Sequence, residues 1–84
     1  MLELKRVKKM EISFGEKIRQ LREDMDITQT QFGKKVNMTQ RKVSYMENGT
    51  YEPSISDIKE ICLFFNVSAD YLLGLPQNLN YLVR

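Results

Sequence analysis

Histidine is absent from this 84-residue chain, and its single cysteine, Cys62, cannot form an internal disulfide. A buried thiol of this kind is typical of a protein from a reducing cytosol. The sequence also lacks a cluster of metal ligands, a glycine-rich phosphate loop and an activated nucleophile beside Cys62. We therefore expect neither an enzyme nor a bound metal, cofactor or small-molecule ligand.

Long apolar runs are missing as well. The longest is residues 61–65 (ICLFF), which is far too short to cross a bilayer. The basic N-terminus has no apolar stretch typical of a secretory signal, so we expect a cytoplasmic protein without membrane contact. Hydrophobic residues make up 42% of the chain, which is enough for one small domain with a compact core.

Charge is distributed unevenly, although the net charge is only +2. Residues 1–42 carry 11 Lys and Arg against 6 Asp and Glu, whereas residues 43–84 carry 2 against 5. A basic half fits an anionic partner such as a nucleic acid. A chance imbalance on a solvated surface is the alternative explanation.

Helix-capping signals recur through residues 13–74, and no segment there is typical of a strand. The five expected caps are Ser13, Thr28, Thr39, Ser54 and Ser68. Glu16 and Gln31 lie where they would complete capping boxes with the first two caps. Asn37 and Asn66 lie where a left-handed residue ends a helix, and Gly49 and Gly74 are expected to end the third and fifth helices. The pattern predicts an all-α, compact five-helix domain.

Apolar residues follow these caps at helical spacing and predict the core. The first helix is expected to direct Phe14, Ile18, Leu21 and Met25 inward. The fourth helix is expected to direct Ile55, Ile58, Ile61, Cys62 and Phe65 inward.

Residues 29–46 (QTQFGKKVNMTQRKVSYM) predict two short helices separated only by Asn37 and Met38. A helix–tight turn–helix unit of this size suits insertion of its second helix into the DNA major groove. With Val43 facing the core at 100° per residue, Arg41, Tyr45 and Asn48 fall on the opposite face. Ser44 flanks that face, and Gln40 lies at the N-terminal end of the helix.

These side chains suit base recognition, because Arg pairs with guanine and Gln with adenine through two hydrogen bonds. An ordinary solvated polar face is the alternative. Phosphate contacts are expected from residues at or near helix ends, namely Gln29, Thr39, Lys42, Asn48 and Thr50.

Arg22 and Glu47 are expected to form a structural ion pair. Each lies about 40° from a core-facing residue of its helix, Ile18 or Val43, and is therefore half-buried. A half-buried charge needs a partner, so we expect the pair to lock the third helix to the first.

These segments resemble the Cro/cI-type (XRE) helix-turn-helix family, which includes the lambda-repressor-like DNA-binding domains of phage and bacterial regulators. The resemblance covers residues 13–74 and is carried by IRQLRED, ITQTQFGKKV, MTQRKVSYMENG and PSISDIKEICLFFNVSADYLLG. Asn37 replaces the usual turn glycine, and Gly33 replaces the commoner alanine.

The resemblance implies phosphate contacts from Gln29 and Asn48, and it also implies the Arg22–Glu47 pair. It further implies that four residues of the third helix face bases, namely Gln40, Arg41, Ser44 and Tyr45.

The function expected of residues 13–74 is sequence-specific DNA binding by a transcriptional repressor that acts as a homodimer. Two copies would read a palindromic operator through the major groove. Dimer contacts are expected from Tyr71 and Leu75. The flanking segments are a basic and apolar arm (residues 1–12) and a tail (residues 75–84), for which disorder is the default expectation and dimer contact the alternative. The alternative is an antitoxin-like protein-binding module on the same fold, with DNA binding secondary.

Overall fold

A computed structural model describes residues 12–76, and within that range it contains five α-helices and no strand. The helices are α1 (Phe14–Asp24), α2 (Gln29–Val36), α3 (Gln40–Glu47), α4 (Ile55–Phe65) and α5 (Ala69–Leu73). The predicted all-α, five-helix architecture is confirmed. Residues 1–11 of the predicted arm and residues 77–84 of the predicted tail lie outside the described residues.

Every helix begins at its predicted cap, because the cap hydroxyl accepts a hydrogen bond from the N–H three residues further on. Thr28 and Gln31 form the predicted reciprocal capping box. At Ser13 the structure has only the bond from the Glu16 N–H to the hydroxyl. A second reciprocal box joins Ser54 and Asp57 instead.

Left-handed residues end α2, α4 and α5. Asn37, Asn66 and Gly74 have φ angles of 63°, 59° and 74°. Asparagine tolerates this conformation, so Asn37 replaces a turn glycine without breaking the tight turn. The third helix ends at Glu47, two residues before Gly49, which has a φ of 83°.

All five helices contribute side chains to the core. Its buried side chains are Ile18, Phe32, Val36, Met38, Val43, Met46, Ile61 and Leu72. The Phe32 ring packs against Phe64 and Phe65, with ring centroids 5.7 Å and 5.2 Å apart. These contacts fix α2 on α4 and so support the helix-turn-helix unit from behind.

Two predicted core residues are exposed. Ile55 is 79% exposed because it lies about 120° around α4 from the buried Ile61. Met25 is 48% exposed because α1 ends at Asp24 and the chain turns away at Asp26, which has a φ of 59°. For both residues the expectation of burial was wrong.

The backbones of α1 and α3 touch at Gly15. A Cβ atom on Gly15 would press against the carbonyl oxygens of Met46 and Glu47, closer than real Cβ contacts come. Backbone atoms cannot move aside as a flexible side chain would. The absence of a side chain at Gly15 therefore lets α3 lie directly against α1.

We expect Gly15→Ala to lower the free energy of unfolding by about 1–3 kcal/mol, because the added methyl group must separate two helix backbones. Elsewhere in a helix the same change is stabilising. Urea denaturation measures the effect, with Gln20→Ala on the exposed side of α1 as the control. A Gly15→Ala variant as stable as the unmodified chain would show that the two backbones do not touch.

Candidate nucleic-acid interface

The side chain of Glu47, at the end of α3, is fully buried. Its carboxylate accepts hydrogen bonds from Arg22 Nε at 2.7 Å, Arg22 Nη2 at 3.1 Å and Gln29 Nε2 at 3.0 Å. A third Arg22 nitrogen donates to the Ile27 carbonyl oxygen at 3.0 Å. Arg22 and Glu47 thus meet as an ion pair, and Glu47 lies deeper than its helical angle indicated.

The environment of Glu47 acts on its pKa in two directions. Burial works to raise the pKa of the carboxyl, because the charged form is desolvated. Hydrogen bonds from Arg22, Gln29 and Arg19, together with the Arg22 charge, outweigh burial and hold the pKa below its ordinary value. Glu47 is therefore a buried anion at neutral pH, and its partners compensate its charge.

Two glutamine side chains, those of Gln29 and Gln40, form a chain of hydrogen bonds from the Glu47 carboxylate to the start of α3. Gln29, the first residue of α2, accepts a hydrogen bond on Oε1 from Gln40 Nε2 at 2.7 Å. Gln40 is the first residue of α3 and is exposed. The orientation of Gln40, which was predicted to read a base, is thus fixed by Gln29 and through it by Glu47.

The outer face of α3 carries the other predicted base-reading residues. Arg41 and Tyr45 are exposed and Ser44 is half-buried, while Val43 and Met46 on the other side are buried. Thr39 caps the start of α3, where its hydroxyl oxygen accepts a hydrogen bond from the Lys42 backbone N–H at 3.1 Å. The hydroxyl hydrogen of Thr39 can therefore still donate to another group.

Lys42 has partners within the protein. Its Nζ lies 4.9 Å from the centre of the Tyr51 ring and 3.9 Å from Asp57 Oδ2. The Tyr51 hydroxyl donates to the same carboxylate oxygen at 2.8 Å. Contact with Tyr51 and the charge of Asp57 raise the pKa of Lys42 against a smaller opposing effect of desolvation. A phosphate would compete with these partners, so the phosphate role of Lys42 stays a prediction.

The two residues predicted to bind phosphate after α3 differ in what they can donate. The Thr50 hydroxyl donates to the Tyr45 carbonyl oxygen at 3.2 Å and so helps to end the helix. Asn48 is exposed, and its Oδ1 accepts from Arg19 Nη2 at 3.2 Å, which leaves its amide hydrogens free. Asn48 therefore keeps its donors for an anion, whereas Thr50 uses its donor within the protein.

Three residues that contact the predicted site residues were not predicted from the sequence, namely Arg19, Tyr51 and Asp57. Arg19 had a usable signal, since residues three apart on a helix are surface neighbours and Arg22 was already placed beside Glu47. Nothing local in the sequence connects Tyr51 and Asp57 with Lys42.

Residues 12–76 contain no helix that is long and apolar enough to span a membrane. The same part of the chain contains no group of side chains arranged to hold a metal ion.

Comparison with known proteins identifies the fold. Residues 18–72 match the helix-turn-helix family. The P22 c2 repressor, solved in complex with the synthetic operator 9T, superposes with a TM-score of 0.72 at 30% identity, over 75% of this chain and 96% of that chain. A transcriptional regulator from Listeria innocua gives a TM-score of 0.71 at 26% identity, over 81% and 65%. The predicted lambda-repressor-like fold is confirmed.

Two curated relatives are an antitoxin and a transcriptional activator. Antitoxin PezA of Streptococcus pneumoniae is 38% identical over 66 residues, which are 79% of this chain and 42% of PezA. The HTH-type transcriptional activator BcrR of Enterococcus faecalis is 34% identical over 63 residues, which are 75% of this chain and 31% of BcrR. The chain thus spans less than half the length of either relative.

We expect Glu47→Gln to lower the free energy of unfolding at pH 7 by about 3 kcal/mol, because Arg22 loses its buried counter-charge. Since the folded-state pKa of Glu47 lies below the unfolded one, its carboxylate stabilises the fold above the unfolded value. That contribution is lost as the pH falls through the ordinary glutamate pKa of about 4.3 and on toward the folded-state pKa. The Glu47→Gln variant should therefore lose less stability on acidification.

Urea denaturation at pH 7 and at about pH 4 measures both effects, with the exposed Glu60→Gln of α4 as the control. Equal stability of Glu47→Gln and the unmodified chain at pH 7 would contradict the buried ion pair.

Proposed function

This chain belongs to the Cro/cI-type helix-turn-helix family, and we propose that it is a transcription regulator that reads a specific duplex sequence with α3. The observation that carries the proposal is the division of α3 into a buried apolar side and an exposed polar side. The polar side holds Gln40, Arg41, Ser44 and Tyr45. The fold shared with the P22 c2 repressor, which was solved in complex with an operator, supports DNA binding.

Each residue on the polar side has a chemical role in this proposal. Arg41 makes a bidentate pair with guanine and Gln40 with adenine in the major groove. Ser44 donates or accepts at a base edge, and Tyr45 packs against a thymine methyl group. Because the Gln29 bond holds Gln40, part of the conformational cost of recognition is met before DNA arrives.

Phosphate contacts surround the reading face. Gln29 and Thr39 lie at helix starts, where free backbone N–H groups favour an anion. Asn48 offers its amide hydrogens at the other end of α3. Lys42 and Thr50 remain part of the proposed phosphate set, although each must exchange a partner within the protein to reach DNA.

A homodimer on a palindromic operator follows from the size of α3. A helix of 8 residues reaches only a few base pairs, so two copies across a twofold axis are needed for a selective site. Half-sites would lie about 34 Å apart or a multiple of that distance. Tyr71 and Leu75, 42% and 45% exposed, are the dimer contacts we propose within the described part of the chain.

Repression is the regulatory action we propose, because occupation of an operator excludes other proteins from it. The proposal places the protein in the cytoplasm, where its DNA target would lie. The similarity to BcrR, which is named an activator, means that the direction of regulation needs its own measurement.

A second candidate function is an antitoxin-like protein-binding module. Two observations favour it: the similarity to antitoxin PezA, and the exposed apolar side chains on α4. Ile55 and Leu63 are 79% and 77% exposed. In this alternative α4 binds a partner protein, and DNA binding through α3 is secondary.

Selection from a random duplex library at two salt concentrations tests the proposal. We expect the unmodified chain to enrich a palindromic motif, with retention that falls steeply as salt rises, because phosphate neutralisation releases counterions. Arg41→Ala should weaken operator binding by about 1–3 kcal/mol and relax the preference at one base pair of each half-site. Lys59→Ala, which removes the same charge from the exposed side of α4, should leave the motif unchanged.

Two outcomes would contradict parts of this proposal. An Arg41→Ala variant that binds all duplexes more weakly by one common factor would show that Arg41 does not read a base. Failure of the unmodified chain to enrich any motif would favour the protein-binding module.

A further inference from the structure

Arg19 of α1 reaches the same surface as the recognition helix. Its Nη2 donates to Asn48 Oδ1 at 3.2 Å, and its Nε lies 3.5 Å from Glu47 Oε1. Gln29 Nε2 donates to that same carboxylate oxygen at 3.0 Å. Arg19 therefore lies beside Gln29 and Asn48, two of the five residues proposed to bind phosphate, which lie at opposite ends of the helix-turn-helix unit.

The charges that are in direct contact in this cluster do not balance, although the charge of Glu23 also acts on Arg22 from further away. One carboxylate, that of Glu47, faces two guanidinium groups. Arg22 forms the two short hydrogen bonds and its side chain is only 12% exposed, whereas Arg19 stays at the longer distance and is 40% exposed. Arg22 thus neutralises Glu47, and the surplus positive charge lies on the exposed guanidinium of Arg19.

The free hydrogen-bonding groups here are donors. A guanidinium has five N–H groups, and Arg19 directs only its Nε toward Glu47 and one Nη2 hydrogen to Asn48. Asn48 uses its oxygen for Arg19, so its amide presents N–H groups outward. Unused donors beside a surplus positive charge fit an anion with several acceptor oxygens, such as a backbone phosphate.

We propose that Arg19 is a further DNA phosphate-binding residue, which contacts the backbone beside the end of α3 and holds the Asn48 amide toward the same phosphate. This inference rests on the proposed DNA-binding function. It extends the DNA-facing surface onto α1, where the sequence analysis predicted no DNA contact. Arg19 then contributes equally to the affinity for every duplex sequence, because a phosphate contains no sequence information.

Affinity measured over a range of salt concentrations tests the role of Arg19. The probes are the duplex enriched by the unmodified chain and an unrelated duplex of the same length. Arg19→Gln keeps a polar side chain but removes the charge, Arg19→Lys keeps the charge, and Lys59→Ala removes one charge from the exposed side of α4. Thermal unfolding of each variant checks that it folds.

We expect Arg19→Gln to bind both duplexes on the order of tenfold more weakly and to reduce the slope of log affinity against log salt by about one. The enriched motif should stay the same. Arg19→Lys should keep the slope of the unmodified chain but bind a few-fold more weakly, because an ammonium cannot hold Asn48 and a phosphate in the same geometry. Lys59→Ala should change the slope less than Arg19→Gln.

An unchanged slope in a folded Arg19→Gln variant, with the unmodified chain still binding its motif, would overturn the role of Arg19 and leave the proposed function intact. A changed motif would also overturn it, since that would assign Arg19 to base reading. If the unmodified chain binds neither duplex, the proposed function and the role of Arg19 both fail.

Discussion

The arrangement of α1, α2 and α3 in this domain depends on one buried carboxylate, that of Glu47. It bonds to Arg22 of α1 and to Gln29 of α2 and, because Glu47 itself belongs to α3, it joins all three helices. A buried charge that loses its partner costs several kcal/mol, so these helices cannot shift independently. The contact of Gly15 with the backbone of α3 adds a steric limit to the same arrangement. Rotation of α3, the helix that we propose for base reading, is thus restrained from inside the protein.

Side chains in contact with Glu47 also bond to exposed residues of α3. Gln29, which is bonded to Glu47, also accepts a hydrogen bond from Gln40 at the start of α3. Arg19, which lies beside Glu47, donates to Asn48 at the end of α3. Both ends of the helix that we propose for base reading are therefore oriented by groups bound to Glu47. Lys42 does not belong to this network, because its ammonium group contacts Tyr51 and Asp57 instead.

Sequence reasoning predicted the local features well. All five helix starts were confirmed, because a cap is one side chain bonding to the backbone three residues away. Ile55 was misplaced, because an apolar residue near a helix start fits a periodic pattern even when it lies off the buried face. The contact of Arg19 with Asn48 joins residues 29 positions apart and depends on how closely α1 and α3 pack. Helical periodicity contains no information on that distance.

The most direct test of this account is to follow the backbone amide resonances by NMR while the enriched duplex is added. We expect the largest chemical-shift changes at the starts of α2 and α3, along Arg41–Tyr45, and at Asn48. Residues on the exposed side of α4, including Ile55 and Leu63, should change little beyond any effect of dimer formation. Changes concentrated on α4 with α3 unaffected would contradict the central claim that α3 is the reading helix.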